Sequence, residues 1–111
     1  MSSSPSFSAE FCSSRLKAIA DPTRWAIAVE LMAGAKTVGE LKAVLRVEPT
    51  LLSHHLKIMK TEGFAVAERV GKYLRYRLAP AVVLPPPGHG IDLGCCRLEM
   101  SGRDFVLRSK E

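Results

Sequence analysis

No apolar run in this 111-residue chain approaches the roughly twenty residues that a bilayer-crossing helix requires. The first residues, MSSSPSFSAEF, carry neither the charged nor the apolar region of a secretory signal, so the expected location is the cytoplasm, with no membrane partner. Cysteine is scarce. Three is an odd count, which argues against a closed disulfide framework and for thiols kept reduced, available to a metal or to redox chemistry. Internal repeats are absent, as are low-complexity tracts beyond the serine-rich start. Catalytic constellations are missing too: there is no glycine-rich phosphate loop, no serine with a plausible base, and no carboxylate pair framed for acid–base work. An enzyme is not expected.

What the chain does have is nearly half apolar residues and a net charge of +5. That composition suits one modest core and leaves no room for a second full domain. The charge is unevenly placed. Between Thr50 and Leu78, Lys57, Lys60, Arg69, Lys72, Arg75 and Arg77 face only Glu62 and Glu68, a local balance of +4. A phosphate backbone rewards such clustering through counterion release.

The same stretch has a clear period. In TLLSHHLKIMKTEG, Leu52, Leu56 and Met59 recur at i, i+4, i+7, while Thr50, Ser53, His54, Lys57 and Thr61 occupy the opposite face. Pro49 at the start and Gly63 past the end mark a helix over Pro49 to Thr61. FAVAERV and YLRYRLA follow as two strands joined at Gly71-Lys72, a sequence suited to a type II′ turn. The alternation assigns Val66, Leu74, Tyr76 and Leu78 to a face distinct from Arg69, Arg75 and Arg77. A basic helix followed by a basic hairpin is the outline of a DNA-reading helix and its wing. A merely solvated helix and hairpin with incidental lysines is the plainer alternative.

Upstream, Ser8 to Ala20 reads as a helix whose stripe is Cys12, Leu16, Ile19 and Ala20, so Cys12 points toward something packed. Asp21 is placed as an N-cap and Pro22 as the first helical residue of the next helix. That helix is apolar nearly all round from Trp25 to Met32 and stops at Gly34, which makes it central to the core. Thr37 and Glu40 have the spacing of a capping box for a third helix, with Leu41, Val44 and Leu45 as its buried stripe. Arg46 to Glu48 then connects to the basic helix, in the order of a helix-turn-helix. The fold class is mainly α with a small β-hairpin, a winged helix-turn-helix over residues 1–80. Residues 81–111 form a proline-rich crossing segment around Pro85, Pro86 and Pro87 and a cysteine-containing tail, with IDLGCCRLEM and RDFVLRSK as two short strands around Ser101-Gly102.

Taken together, LKAIADPTR, TVGELKAVL, LLSHHLKIMKTEGF and VGKYLRYRL resemble the ArsR/SmtB family of winged-helix repressors. The resemblance covers Leu16 to Pro80. It implies a homodimer that binds a roughly palindromic double-stranded operator, one reading helix from each subunit, and releases it when an effector binds elsewhere. Thr50, Ser53 and His54 are then candidates for base edges, and Lys57, Lys60, Arg69, Lys72 and Arg75 for phosphates, with Leu51 and Tyr73 completing the interface. Tyr76 either joins them or packs the wing. The chain also departs from the family. VGELKAVLRV has no cysteine where many metal-responsive members carry a Cys-Val-Cys element, and a proline-rich segment with only His89 and Asp92 replaces the final helix that carries zinc ligands. With that helix missing, the first helix is the expected dimer seam.

The remaining chemistry is thiol chemistry. Cys95 and Cys96 are adjacent, and neighbours close a relaxed disulfide poorly, whereas two thiolates readily share one soft ion. Trivalent arsenic or antimony takes three sulfurs in a pyramid, and Cys12 is the only other cysteine. The expected metal site is Cys12, Cys95 and Cys96, from one subunit or across two, or the vicinal pair with a non-cysteine third ligand. As(III) or Sb(III) would act as effector, with no permanently bound cofactor. Redox or persulfide switching, or cadmium, lead or copper(I), are alternatives on the same thiols. His54 and His55, being helix neighbours, cannot easily chelate one ion, and His89 between two glycines reads as a solvated linker residue. Two rival classes stand beside the sensor: a constitutive DNA-binding protein, and a protein-interaction module that uses the winged fold without DNA.

Overall fold

The computed structural model describes residues 9–85, 88–101 and 104–109. Expectations that touched Ser8, Pro86, Pro87, Gly102, Arg103 and Lys110 lie outside these residues. Helices α1 (Ala9–Ile19), α2 (Pro22–Met32), α3 (Val38–Leu45) and α4 (Pro49–Thr61) come first, interrupted by the two-residue strand β1 (Lys36–Thr37). Each of α2, α3 and α4 starts where its cap chemistry allows. Asp21 Oδ2 accepts from the backbone N–H groups of Thr23 (2.9 Å) and Arg24 (3.0 Å), with Pro22 at the first turn where a missing N–H costs nothing. Thr37 and Glu40 close the expected capping box, side chain to backbone in both directions. Glu48 caps α4 by accepting from Leu51 N at 3.0 Å.

Strands β2 (Ala65–Val70) and β3 (Tyr73–Leu78) form the hairpin, and β1 adds to the far side of β3 in the order β1-β3-β2. Gly71 has φ 61° and Lys72 a negative φ, which is the pattern of a II′ turn. The turn sets a register pairing Val70 with Tyr73, and this overturns part of the expected face assignment. Arg69 lies opposite Leu74 and Val66 opposite Arg77, so Arg69 shares its face with Leu74, Tyr76 and Leu78, while Val66 shares its face with Arg75 and Arg77. A two-residue turn makes odd positions of β2 meet even positions of β3, a parity that alternation within each strand cannot reveal.

After a 3₁₀ turn (Pro80–Val82), β4 (Gly90–Asp92), β5 (Cys96–Ser101) and β6 (Asp104–Ser109) make a second antiparallel sheet in that order. IDLGCCRLEM is therefore not one strand. Asp92 Oδ1 accepts from Gly94 N at 2.8 Å and Gly94 takes φ 96°, so the chain turns sharply between β4 and β5. Gly90 has φ 149°, and a Cβ there would collide with the carbonyl of Leu98 on the paired strand.

One apolar core runs through both halves of the chain. Ile27, Ala28 and Leu31 of α2, Leu41 of α3, and Leu52, Leu56 and Met59 of α4 pack with Phe64, and Ile91 and Leu93 of the second sheet enter the same cluster fully buried. The segment after Pro80 is thus docked to the helices by apolar burial. Val44, expected in the buried stripe of α3, is 56% exposed. This eight-residue helix buries Leu41 and half-buries Leu45, and its short length leaves Val44 on the open side.

Candidate functional site

The basic helix presents the surface its period predicts. Leu52, Leu56 and Met59 are buried, and Thr50, Leu51, Ser53, His54, Lys57, Lys60 and Thr61 are exposed along the opposite side of α4. Lys72 stands at the hairpin tip, and Arg69 and Tyr73 are exposed near it. Arg75, half-buried, lies opposite Glu68 on β2 and Thr37 on β1. Tyr76 is half-buried and packs against the core. Among the described residues, Lys57, Lys60, Arg69, Lys72, Arg75 and Arg77 take part in no ion pair, and all of them but Arg75 are exposed. Arg69 and Arg75 emerge on opposite faces of the hairpin, because their strands are in opposite parity.

A buried polar network lies beneath this surface, and the sequence pattern did not reveal its partners. His55 is 7% exposed and points inward from α4. Arg24 Nη1 lies 2.9 Å from His55 Nδ1, and Arg24 Nε donates to the carbonyl of Ala18 at the end of α1. Arginine has no acceptor atom, so Nδ1 of His55 must offer its lone pair and the ring carries its proton on Nε2. Burial is the first cause that holds His55 below its ordinary pKa. The Asp21 carboxylate, 3.8 Å from Nδ1, pulls it back up, and the charge of Arg24 pushes it down again. Asp21 is itself lowered, chiefly by its hydrogen bond from the Arg24 backbone. A histidine on the buried stripe of an amphipathic helix signals that some partner must exist, but which one depends on how α2 crosses α4. A second polar contact joins α1 to the far end of α4, where Ser14 Oγ donates to Glu62 Oε1 at 2.7 Å.

The three cysteines meet at one place within a single chain. Cys12 on α1 and Cys95 in the turn before β5 are joined as a disulfide, with Cα atoms 6.2 Å apart across 83 residues of sequence. Cys95 Sγ lies 3.9 Å from Cys96 Sγ. The expectation of three reduced thiols is corrected in this form: apolar docking of Ile91 and Leu93 carries the β4–β5 turn onto α1 and leaves Cys96 as the free thiol. Burial first, and then the Asp92 carboxylate, push the Cys96 thiol above its ordinary pKa. Among the described residues, no group of three or more His, Cys, Asp or Glu side chains is set to hold a metal ion in this form. Two of the three sulfurs are bonded to each other. The spacing of Cys95 and Cys96 is nevertheless close to the roughly 3.8 Å that two thiolates adopt when each sits about 2.3 Å from one tetrahedral ion. His54 is exposed and its ring meets that of His55 edge-on at a centroid distance of 5.6 Å, and His89 is exposed in the linker. No described helix is long and apolar enough to cross a membrane.

Comparison with known proteins places the helical and hairpin part of this architecture. A family profile described as "Bacterial regulatory protein, arsR family" matches residues 21–66. The HTH-type transcriptional repressor SmtB of Mycobacterium tuberculosis is 44% identical over 64 residues, which cover 58% of this chain and 47% of the relative. The transcriptional repressor SdpR of Bacillus subtilis is 34% identical over 67 residues, covering 60% of this chain and 74% of the relative. A homodimeric winged helix-turn-helix DNA-binding domain from Mycobacterium bovis, solved in solution, superposes with a TM-score of 0.60 at 27% identity, covering 63% of this chain and 65% of that one. The chain spans about half the length of the SmtB relative that it matches. These relatives are described as transcriptional repressors or regulators.

Proposed function

We propose, starting from the fact that this chain belongs to the ArsR family of bacterial regulatory proteins, that it is a homodimeric, operator-binding repressor released from DNA through Cys12, Cys95 and Cys96. The observation that carries the proposal is the meeting of all three sulfurs, from α1 and from the β4–β5 turn, on the frame of a winged helix-turn-helix. In the DNA-binding state α4 enters the major groove, with Thr50, Leu51, Ser53 and His54 toward base edges. Lys57, Lys60, Arg69, Lys72, Tyr73 and Arg75 hold phosphates, the hairpin flanking the helix along the backbone. The exposed apolar concavity formed by Leu16, Ala20, Pro22, Trp25 and Leu98 supports α1 as the seam with a second copy. The homodimeric Mycobacterium bovis neighbour is consistent with that assembly.

For the effector, the reduced form offers three thiols at one point, a donor set that suits As(III) or Sb(III). Cys12, Cys95 and Cys96 in their thiol form would hold the metalloid, each S–H proton leaving with one hydroxide of its trihydroxide as water, so three S–metalloid bonds form with no net release of protons. A ligand releases DNA only to the extent that it binds the two forms unequally. A second reading is favoured by the Cys12–Cys95 bond itself, because its two partners sit on separate elements that must approach one another. An oxidant such as a peroxide takes two electrons and two protons from the Cys12 and Cys95 thiols, forming the S–S bond and leaving as water.

The test is an anisotropy titration of the reduced protein on a palindromic duplex selected from a random pool, challenged with arsenite, antimonite, cadmium, zinc and an oxidant. Release by arsenite or antimonite that is lost in Cys96→Ser supports the metalloid site. Release by the oxidant alone supports the redox reading, and indifference to every challenge returns the chain to a constitutive DNA-binding protein. A flat salt dependence with no duplex retention would instead mark a protein-interaction module.

A further inference from the structure

We propose that Arg24 is a positioning residue that couples the thiol cluster to the reading helix, by gripping the last turn of α1 and the buried side of α4 with one rigid guanidinium. The inference rests on the thiol-responsive reading above, and deepens it by naming how a change at Cys12 reaches the DNA-facing side of α4.

Helix α1 carries Cys12, which is tied to Cys95 in the second sheet. At its other end the carbonyl of Ala18 receives Arg24 Nε, while Nη1 of the same side chain is 2.9 Å from Nδ1 of His55. A guanidinium is planar and its donors are set in a fixed fork, so its two partners are held at a fixed separation. A shift of α1 along its axis must therefore either move His55 or break a hydrogen bond to a buried group, which costs the desolvation of whichever atom is left unpaired. The backbone from which this side chain extends is itself held, since Asp21 Oδ2 accepts from Arg24 N at 3.0 Å. His55 in turn abuts His54, whose ring faces outward among the base-edge candidates. The link from Ser14 to Glu62 gives α1 a second hold on α4, two residues from Cys12. Helix α1 thus carries Cys12 near one end, meets the end of the reading helix through Ser14 and Glu62, and reaches its buried side through Arg24 of α2.

Packing of Ala18 and Ile19 into the common core could carry the same displacement without Arg24. Spatial connection alone does not establish coupling, so the test separates the two routes. The full chain is studied in three states: reduced, oxidised with diamide, and reduced with arsenite. Ring ¹⁵N resonances report the tautomer and hydrogen bonding of His55, and duplex anisotropy reports DNA affinity. The variants are Arg24→Met, Arg24→Lys, which keeps the charge but cannot span both partners, and His55→Gln.

In the unmodified protein the His55 Nδ1 resonance is expected to differ between thiol states, and DNA affinity to change by a factor in the roughly 5–150-fold range of coupled sites. In Arg24→Lys and Arg24→Met the affinity change should shrink below about threefold, with thiol count and arsenite binding unaltered. Retention of the full affinity change in a folded Arg24→Lys protein overturns the proposal, as does a His55 resonance indifferent to thiol state in the unmodified protein. Should Arg24→Met fail to fold, the resonances of the unmodified protein and the Arg24→Lys variant still decide. A moving His55 resonance with unchanged DNA affinity leaves the coupling standing and removes the repressor mechanism. Effector-driven release with a static His55 does the reverse.

Discussion

Nη1 of Arg24 sits 2.9 Å from Nδ1 of His55, a donor with no lone pair facing a ring that must supply one. That relationship fixes the protonation state of a histidine under the reading helix and makes it incompatible with a second ring proton.

Stability should consequently fall as the solution is acidified. His55 is held below its ordinary value of 6.5, with burial the largest cause. The unfolded chain takes up its proton near that value while the native protein refuses it, so the unfolded state binds more protons in the window just beneath. The stabilisation is complete above pH 6.5 and is lost progressively as pH drops toward the native pKa. Urea melts from pH 8 to pH 5 measure this, and His55→Gln should flatten the part of the slope that His55 contributes.

Thiol titration distinguishes the forms of the cysteine cluster. Without reductant the protein should release one thiol equivalent, from Cys96, and with reductant all three. Cys96→Ser should release none before reduction. Three reactive thiols in protein purified in air would show that Cys12 and Cys95 do not pair.

Loss of a phosphate contact and loss of a base contact have different signatures. Lys72→Ala or Arg75→Ala should weaken binding evenly across duplex sequences and lower the slope of log affinity against log salt by about 0.9 each. Ser53→Ala or His54→Ala should leave that slope alone and relax preference at particular base positions, by about 1–3 kcal/mol for a well-formed contact. Equal slopes throughout the series would remove the hairpin from the DNA interface.

Gly90→Ala tests whether the second sheet delivers Cys95 to α1. Gly90 combines φ 149° with a carbonyl of Leu98 lying where a Cβ would go. The substitution should separate β4 from β5, expose Ile91 and Leu93, and abolish the Cys12–Cys95 crosslink on non-reducing gels. A crosslink formed as readily as in the unmodified protein would mean that the turn reaches α1 without this pairing.

The limits of α4, the caps of α2 and α3, and the hairpin turn were legible because each depends on residues within a few positions of one another. Pro49 starts the reading helix and Gly63 lies just past its end, Thr37 and Glu40 satisfy each other's backbone, and Gly71 supplies the positive φ its turn needs. Other features were not legible from local pattern. β1 is two residues long, too short for alternation to show, and exists because Lys36 and Thr37 pair with Tyr76 and Arg75. Arg69 was assigned the wrong companions because strand parity is set by the turn, and Val44 because one helical period cannot tell which side of a short helix meets a neighbour.

Periodicity, capping and charge clustering are properties of neighbours along the chain, and they were enough to indicate a basic reading helix with a wing and to single out three cysteines as its unexplained chemistry. The union of Cys12 with Cys95 across 83 residues, and the grip of Arg24 on His55, came from the packing of distant segments. Apolar burial of Ile91 and Leu93 chooses where the second sheet docks, and the crossing of α2 over α4 chooses which polar groups must satisfy one another in the space left between them.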